Sequence, residues 1–223
     1  MRRRAGQAHF LDRIDAGEQL GKRLATTADR SALVLGLPRG GVPVAAEVAC
    51  ALGAELDVLV ARKVGAPRQP ELAVGAVTAD GGVFLDTGLV EQLRIPSDVL
   101  DVLIAREREV ARQREMRFRG GRPYPELGDR TVIMVDDGLA TGATMYAAVH
   151  AIRRRRPHRL VVAVPVGSTS ACESLAEDVD EVICLHTPEG FHAVGLHYAD
   201  FTPTTDGEVE SLLRQFRPSA SRS

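Results

Sequence analysis

The sequence predicts an α/β protein: a mostly parallel central sheet with helices on both faces, plus a small hood. Three observations carry this prediction. Near-continuous apolar runs, such as residues 32–37 and 131–135, have strand length. Strands apolar on both faces belong in parallel sheets covered by helical crossovers. Helix-length amphipathic stretches separate these runs, so the connections are long enough to cross the sheet. The chain has 223 residues, 44% of them hydrophobic, which is enough to bury one sizeable core without disulfides.

The elements follow in order. Residues 32–37 form the first strand, and Pro43 marks the first turn of a helix that runs to Leu52. Residues 56–61 form a second strand. Residues 73–78 and 83–86 flank Asp80-Gly81-Gly82, a hairpin signal. A long helix is expected over 97–118, capped by Ser97 after Pro96. A strand at 131–135, a helix at 142–154, a strand at 160–164, a helix at 168–179, a strand at 181–185 and a closing helix at 206–216 complete the pattern. One domain is expected over residues 1–217, with its core at about 30–186. The hood, at about 187–205, is grouped with an N-terminal helix, and a disordered tail follows at 218–223.

Composition excludes several classes. The net charge of −2 argues against a broadly basic nucleic-acid binder. No apolar run approaches the ~20 residues that a transmembrane helix needs. The basic start Arg2-Arg3-Arg4 precedes no apolar stretch of signal-peptide type and reads as a frayed terminus, so a cytoplasmic protein is expected. Cys50, Cys172 and Cys184 are isolated and lie in apolar stretches, which points to buried reduced thiols. Seven arginines and three glutamates between 106 and 122 read as a solvated helical face, with a polyanion-attracting rim as the alternative. Of the 28 basic residues only Lys22 and Lys63 are lysines.

The sharpest motif runs from Val132 to Thr144. A buried strand ends in Asp136-Asp137, a loop Gly138-Leu139-Ala140-Thr141-Gly142-Ala143-Thr144 follows, and then a helix begins. Small residues let backbone N–H groups converge on an anion, and the helix N-terminus adds partial positive charge. Thr141 and Thr144 can donate hydroxyl hydrogen bonds to a phosphate. No lysine lies in the loop, so it is not a Walker-type P-loop. The two acids fit one sugar-width away, accepting from vicinal hydroxyls or holding hydrated Mg²⁺.

This segment resembles the signature of type I phosphoribosyltransferases, which bind 5-phosphoribosyl-1-pyrophosphate (PRPP). The resemblance implies that residues 140–144 cradle the 5′-phosphate and that Asp136 and Asp137 contact the ribose 2′- and 3′-hydroxyls. It implies Mg²⁺ as cofactor, touched by Asp136 or Asp137 directly or through water. It also implies a pyrophosphate loop after the first core strand, here Gly36-Leu37-Pro38-Arg39-Gly40-Gly41-Val42-Pro43. There Gly40 and Gly41 admit backbone amides, and Arg39 brings a fork suited to diphosphate. In this fold that loop often carries a non-proline cis peptide, so Pro38-Arg39 or Arg39-Gly40 is a candidate for one.

Family members also cover PRPP with a mobile loop, here Arg62-Lys63-Val64-Gly65-Ala66-Pro67-Arg68-Gln69-Pro70-Glu71, expected to be irregular. Arg62 and Lys63 could neutralise the departing pyrophosphate. The hood candidate is residues 187–198: Phe191 and Tyr198 are stacking candidates for the base, and His192 or His197 is a candidate for acid–base chemistry. Arg39, Lys63, Asp136 and Asp137 are the catalytic candidates. The wider pattern is similar to a bacterial group of phosphoribosyltransferases whose acceptor is unassigned.

Ala140 stands where hypoxanthine-guanine enzymes carry an acid, which argues against a 6-oxopurine acceptor of that kind. The expected activity is transfer of the phosphoribosyl group to a nitrogen acceptor, a nucleobase or related heterocycle, with pyrophosphate released. The alternatives are a non-catalytic PRPP- or nucleotide-binding regulator and, more remotely, a phosphohydrolase. PRPP and a heterocyclic base are the expected partners, with no nucleic acid and no membrane; a homodimer is left open.

Overall fold

The structure is a computed structural model that describes residues 8–26 and 31–216. The expected frayed start and disordered tail lie outside the described residues. Five strands form one wholly parallel sheet: β1 (Leu33–Gly36), β2 (Glu55–Val58), β6 (Thr131–Val135), β7 (Arg159–Val166) and β8 (Glu181–His186), in the order β2-β1-β6-β7-β8. Three more strands, β3 (Ala61–Ala66), β4 (Gln69–Thr78) and β5 (Val83–Leu85), form a separate antiparallel sheet.

Side chains of β1, β6 and β7 alternate between two cores, as the period-2 pleat requires. Val34, Ile133, Val135, Val161 and Ala163 join one core with Leu20 and Leu24 of α1 (Arg13–Leu24), most of α2 (Gly41–Leu52), and Val209 and Leu213 of α7 (Asp206–Gln215). Leu33, Leu35, Val132, Met134, Leu160 and Val162 face the other way. There they meet α5 (Ala143–Arg153) and α6 (Thr169–Leu175). Helices therefore cover both faces, as the continuous apolar strands predict.

Several boundaries depart from expectation. The second strand ends at Val58, and Ala61 already belongs to the small sheet. The stretch expected to be irregular, 62–71, is an ordered hairpin: Lys63 pairs with Ala76, and Pro67-Arg68 turn between Ala66 and Gln69. Its glycine and prolines sit at a register shift, in the turn and near the strand start, so they punctuate the hairpin without breaking it. The short α3 (Thr87–Gln92) was not expected. The long helix α4 (Ser97–Arg119) is preceded by Pro96 as its cap residue, and Ser97 makes no side-chain cap. Cys50 is exposed and Cys172 and Cys184 are half-buried, which corrects the expectation of buried thiols; all three are free.

The arginine-rich stretch of α4 is solvated only in part: Arg106, Arg112 and Arg117 are exposed, and Arg112 pairs with Glu109 one turn away, whereas others turn inward. Arg119 is buried and meets buried Asp57 of β2 at 3.1 Å. Arg114 and Arg117 reach Asp206 of α7 at 2.5 and 3.3 Å, and Arg117 also reaches Glu210 at 2.7 Å. Glu115 lies on the same helix, accepts from the Val60 amide at 3.3 Å, and is pushed up to about 7 by burial.

A carboxyl group raised in the folded state stabilises the fold while protonated; that stability is present below its unfolded pKa and is lost as pH rises through about 7. Glu115→Gln, a neutral mimic, is therefore expected to match the wild type near pH 4 and to exceed it at pH 8 by about 3 kcal/mol at most. Urea denaturation at the two pH values measures this. An equal difference at both would contradict it.

Candidate functional site

β1 and β6 are neighbours, but their crossovers diverge: α2 leads from β1 to β2 on one side, and α5 leads from β6 to β7 on the other. Such a reversal opens a crevice at the carboxyl ends of the strands. The loops after β1 and β6 meet there. The Leu37 amide donates to the Val135 carbonyl at 2.9 Å. A Cβ at Gly41 would stand 2.7 Å from that carbonyl oxygen and 2.8 Å from Cα of Asp136, so only glycine permits the approach. The peptide Pro38-Arg39 in this loop is cis, one of the two candidates.

The loop after β6 is pinned by the end of β7. The Leu139 amide donates to Val166 O and the Ser168 amide to Leu139 O, both at 2.9 Å, and Ser168 Oγ donates to Ala140 O at 2.8 Å. Gly142, at φ 77°, starts α5 from the left-handed region, where a side chain would be strained. Among the described residues, the N–H groups of Ala140, Thr141, Gly142, Ala143 and Thr144 have no backbone partner. They gather at the N-terminus of α5, where an anion is favoured. A cavity of about 170 Å³ lies over them, lined also by Lys63, Asp136 and Val194.

Each acid commits one oxygen to the protein. Asp136 Oδ1 accepts the Asp137 amide at 2.8 Å. Asp137 Oδ2 accepts from Arg13 Nε at 2.8 Å and lies 2.8 Å from its Nη2 as an ion pair. Asp136 Oδ2 and Asp137 Oδ1 receive no hydrogen bond from another described residue. Burial, and for Asp136 also its neighbour Asp137, pushes both carboxyls up; Arg13 opposes this for both, and Lys63 for Asp136.

Lys63, exposed on β3, borders this cavity and a second one of about 650 Å³ that also includes Thr144, Arg62, Arg106 and Arg114. Arg62 is held by Glu107 of α4 at 2.7 Å. Arg39 is exposed and lies 3.9 Å from Asp206.

The hood residues separate. Phe191 is half-buried and stacks on His197, with ring centroids 5.4 Å apart. His192 is exposed. His197 stacks on His9 and lies 3.1 Å from it, Nδ1 to Nδ1, and burial pushes it down. Tyr198 corrects the stacking expectation: it is 5% exposed, its ring packs against Phe10 and Phe201, and its hydroxyl donates to the Asp137 carbonyl at 2.6 Å. A ring held this way has no face left for a base.

Arg13 and Val194 had no motif to mark them. Arg13 lies 124 positions from Asp137 in sequence, and Val194 packs on Gly138 from the hood.

A cavity lined by unpartnered amides at a helix N-terminus, beside two half-buried acids at a switch point, is suited to an anionic ligand that also carries hydroxyl groups. Comparison with known proteins narrows the class. Residues 11–198 match the model of the phosphoribosyl transferase domain. The Mycobacterium tuberculosis protein named "Putative phosphoribosyl transferase Rv0571c" is 46% identical over 204 residues, covering 92% of this chain and 46% of that protein. The chain thus spans about half the length of the curated relatives it matches. The crystal structure of TT1426 from Thermus thermophilus is 45% identical, with a TM-score of 0.80, covering 94% of this chain and 100% of that one. A hypothetical protein from Neisseria gonorrhoeae, solved with bound ppGpp, is 12% identical with a TM-score of 0.54, over 96% of this chain and 100% of that one; this likeness shows the fold alone. The chain belongs to the phosphoribosyl transferase domain family. Among the described residues, no helix is long and apolar enough to cross a membrane.

Gly41→Ala is expected to force the two loops apart and to lower stability by about 1–3 kcal/mol, measured by urea denaturation. An unchanged midpoint would mean that the loops do not need this contact.

Proposed function

We propose that the protein transfers the 5-phosphoribosyl group of PRPP to a nitrogen heterocycle and releases pyrophosphate. One observation carries this reading. Five successive unpartnered amides at the start of α5 stand beside two acids that each keep one oxygen open. The amides of Ala140–Thr144, with the hydroxyls of Thr141 and Thr144, take the 5′-phosphate, and Gly138 and Leu139 lead the chain into this cup. The open oxygens of Asp136 and Asp137 accept the ribose 2′- and 3′-hydroxyls, which fixes the sugar.

Bond breaking at C1 puts positive charge on the sugar and negative charge on the leaving pyrophosphate. Positioned cations lower the energy of such a transition state. Lys63 serves this role from β3. Arg39, with the amides of Gly40 and Gly41, holds the diphosphate after β1. Arg62, fixed by Glu107, lends its charge from the adjoining cavity wall.

The donor set fits Mg²⁺ of one kind only. Among the described residues no three or more His, Cys, Asp or Glu side chains cluster as a metal cage. Mg²⁺ binds readily through one or two carboxylates, substrate phosphates and waters, which suits Asp136 and Asp137. It would supply charge neutralisation of the diphosphate.

Phe191 and His192 in the hood face the acceptor in this reading. The acceptor class, a heterocyclic base, rests on the family resemblance.

Calorimetry with PRPP and Mg²⁺ should detect binding, and pyrophosphate release should follow on a panel of bases. Asp137→Asn should weaken PRPP binding tenfold or more with folding intact. Lys63→Ala should lower turnover about 100-fold, as loss of a leaving-group contact does. No PRPP binding at millimolar ligand would overturn the reading. Binding without release on any base would favour a PRPP-binding regulator.

A further inference from the structure

Arg13 is the side chain in this site that no motif marked, and its contacts are unusually complete. Nε and Nη2 both lie 2.8 Å from Asp137 Oδ2, and Nη1 donates to the Thr202 carbonyl at 2.8 Å. The guanidinium lies 3.9 Å from the Phe201 ring centroid, a cation–π contact. The side chain is 11% exposed. Arg13 is the first residue of α1, and Asp12 caps that helix by accepting the Asp15 amide, so the backbone that carries Arg13 is itself fixed.

The other side of Asp137 is equally constrained. Its carbonyl accepts the Tyr198 hydroxyl at 2.6 Å. A Cβ at Gly40 would fall 1.9 Å from Oδ2 and 3.1 Å from Arg13 Nε, so the carboxylate and guanidinium lie directly against the loop after β1. The segment 9–11 is tied in turn to 197–200: the amides of His9 and Phe10 donate to His197 O, and those of Ala199 and Asp200 donate to Phe10 O and Leu11 O.

We propose that Arg13 is a positioning residue for the transferase site: by holding Asp137 Oδ2 it turns Oδ1 toward the ribose hydroxyl, and it docks the hood segment 198–202 on the acid pair. This deepens the proposed function and rests on it. Arginine suits the task, because Nε and Nη2 both close on the one oxygen Oδ2 and leave Oδ1 free, and the guanidinium stays charged at any working pH. The stack on Phe201 and the bond to Thr202 fix the fork itself.

The test uses Arg13→Ala, Arg13→Lys and wild type, with calorimetry of PRPP and, separately, of inorganic pyrophosphate, each with Mg²⁺. The expected result is a loss of PRPP affinity of tenfold or more in Arg13→Ala with pyrophosphate affinity kept, because Arg13 acts on the sugar-binding acid. Arg13→Lys, which keeps the charge and loses the fork, should restore only part of the PRPP affinity. If Arg13→Ala does not fold, the Lys variant and Arg13→Gln supply the comparison. If the wild type binds PRPP while the folded variants keep its affinity, or lose PRPP and pyrophosphate affinity alike, Arg13 is merely structural and the proposal is overturned. Failure of the wild type itself to bind PRPP overturns the function it rests on, and is told apart by that single measurement.

Discussion

Gly41 of α2 rests on the carbonyl of Val135 and on Cα of Asp136, and this backbone contact sets the geometry of the whole crevice. It brings the end of β1 and the end of β6 within hydrogen-bonding range, so Leu37 can donate to Val135. The two loops that follow are then forced to share one space. One of them leads into α5 with its amides unspent, and the other presents Arg39 and the close approach of Gly40. Without paired strands of opposite crossover there would be no crevice for these groups to line.

Charge in the crevice is held in balance by few groups. Two adjacent acids at a strand end are costly to bury, and both are pushed toward their neutral forms. Arg13 offsets that cost from below, and Lys63 from the side of the open cavity. Farther out, Asp206 gathers Arg39, Arg114 and Arg117, so that the cationic side of the crevice is ordered before any ligand arrives. The buried pair of Asp57 and Arg119 belongs to the scaffold. Breaking such a pair strands a charge in the interior, which is why α4 is fixed where it borders the site.

Much of this was legible in the sequence. The continuous apolar runs gave the parallel strands, since a strand that must be covered twice cannot alternate. The loop proposed to hold phosphate stood out because its pattern is local: acids, small residues and a helix start lie within a single stretch of chain. Lys63 stood out by rarity. What stayed hidden depends on distance in the chain. Arg13 meets Asp137 only after α1 folds against α2 and the hood returns to β6. Tyr198 read as a free aromatic, because nothing in its neighbourhood reveals that Phe10 and Phe201 enclose its ring. The hairpin at 62–71 read as irregular because glycine and proline mark turns and bulges as well as loops. For Arg114 and Arg119 the inward pairing stayed hidden, because their acidic partners, Asp206 and Asp57, come from other elements.

The most direct measurement is a crystal structure of the protein with ribose 5-phosphate. The phosphate should lie on the amides of residues 140–144, with the ribose hydroxyls on Asp136 Oδ2 and Asp137 Oδ1 while Arg13 keeps its hold on Oδ2. A phosphate bound elsewhere, or a sugar that reaches Asp137 only after displacing Arg13, would contradict this account of the site.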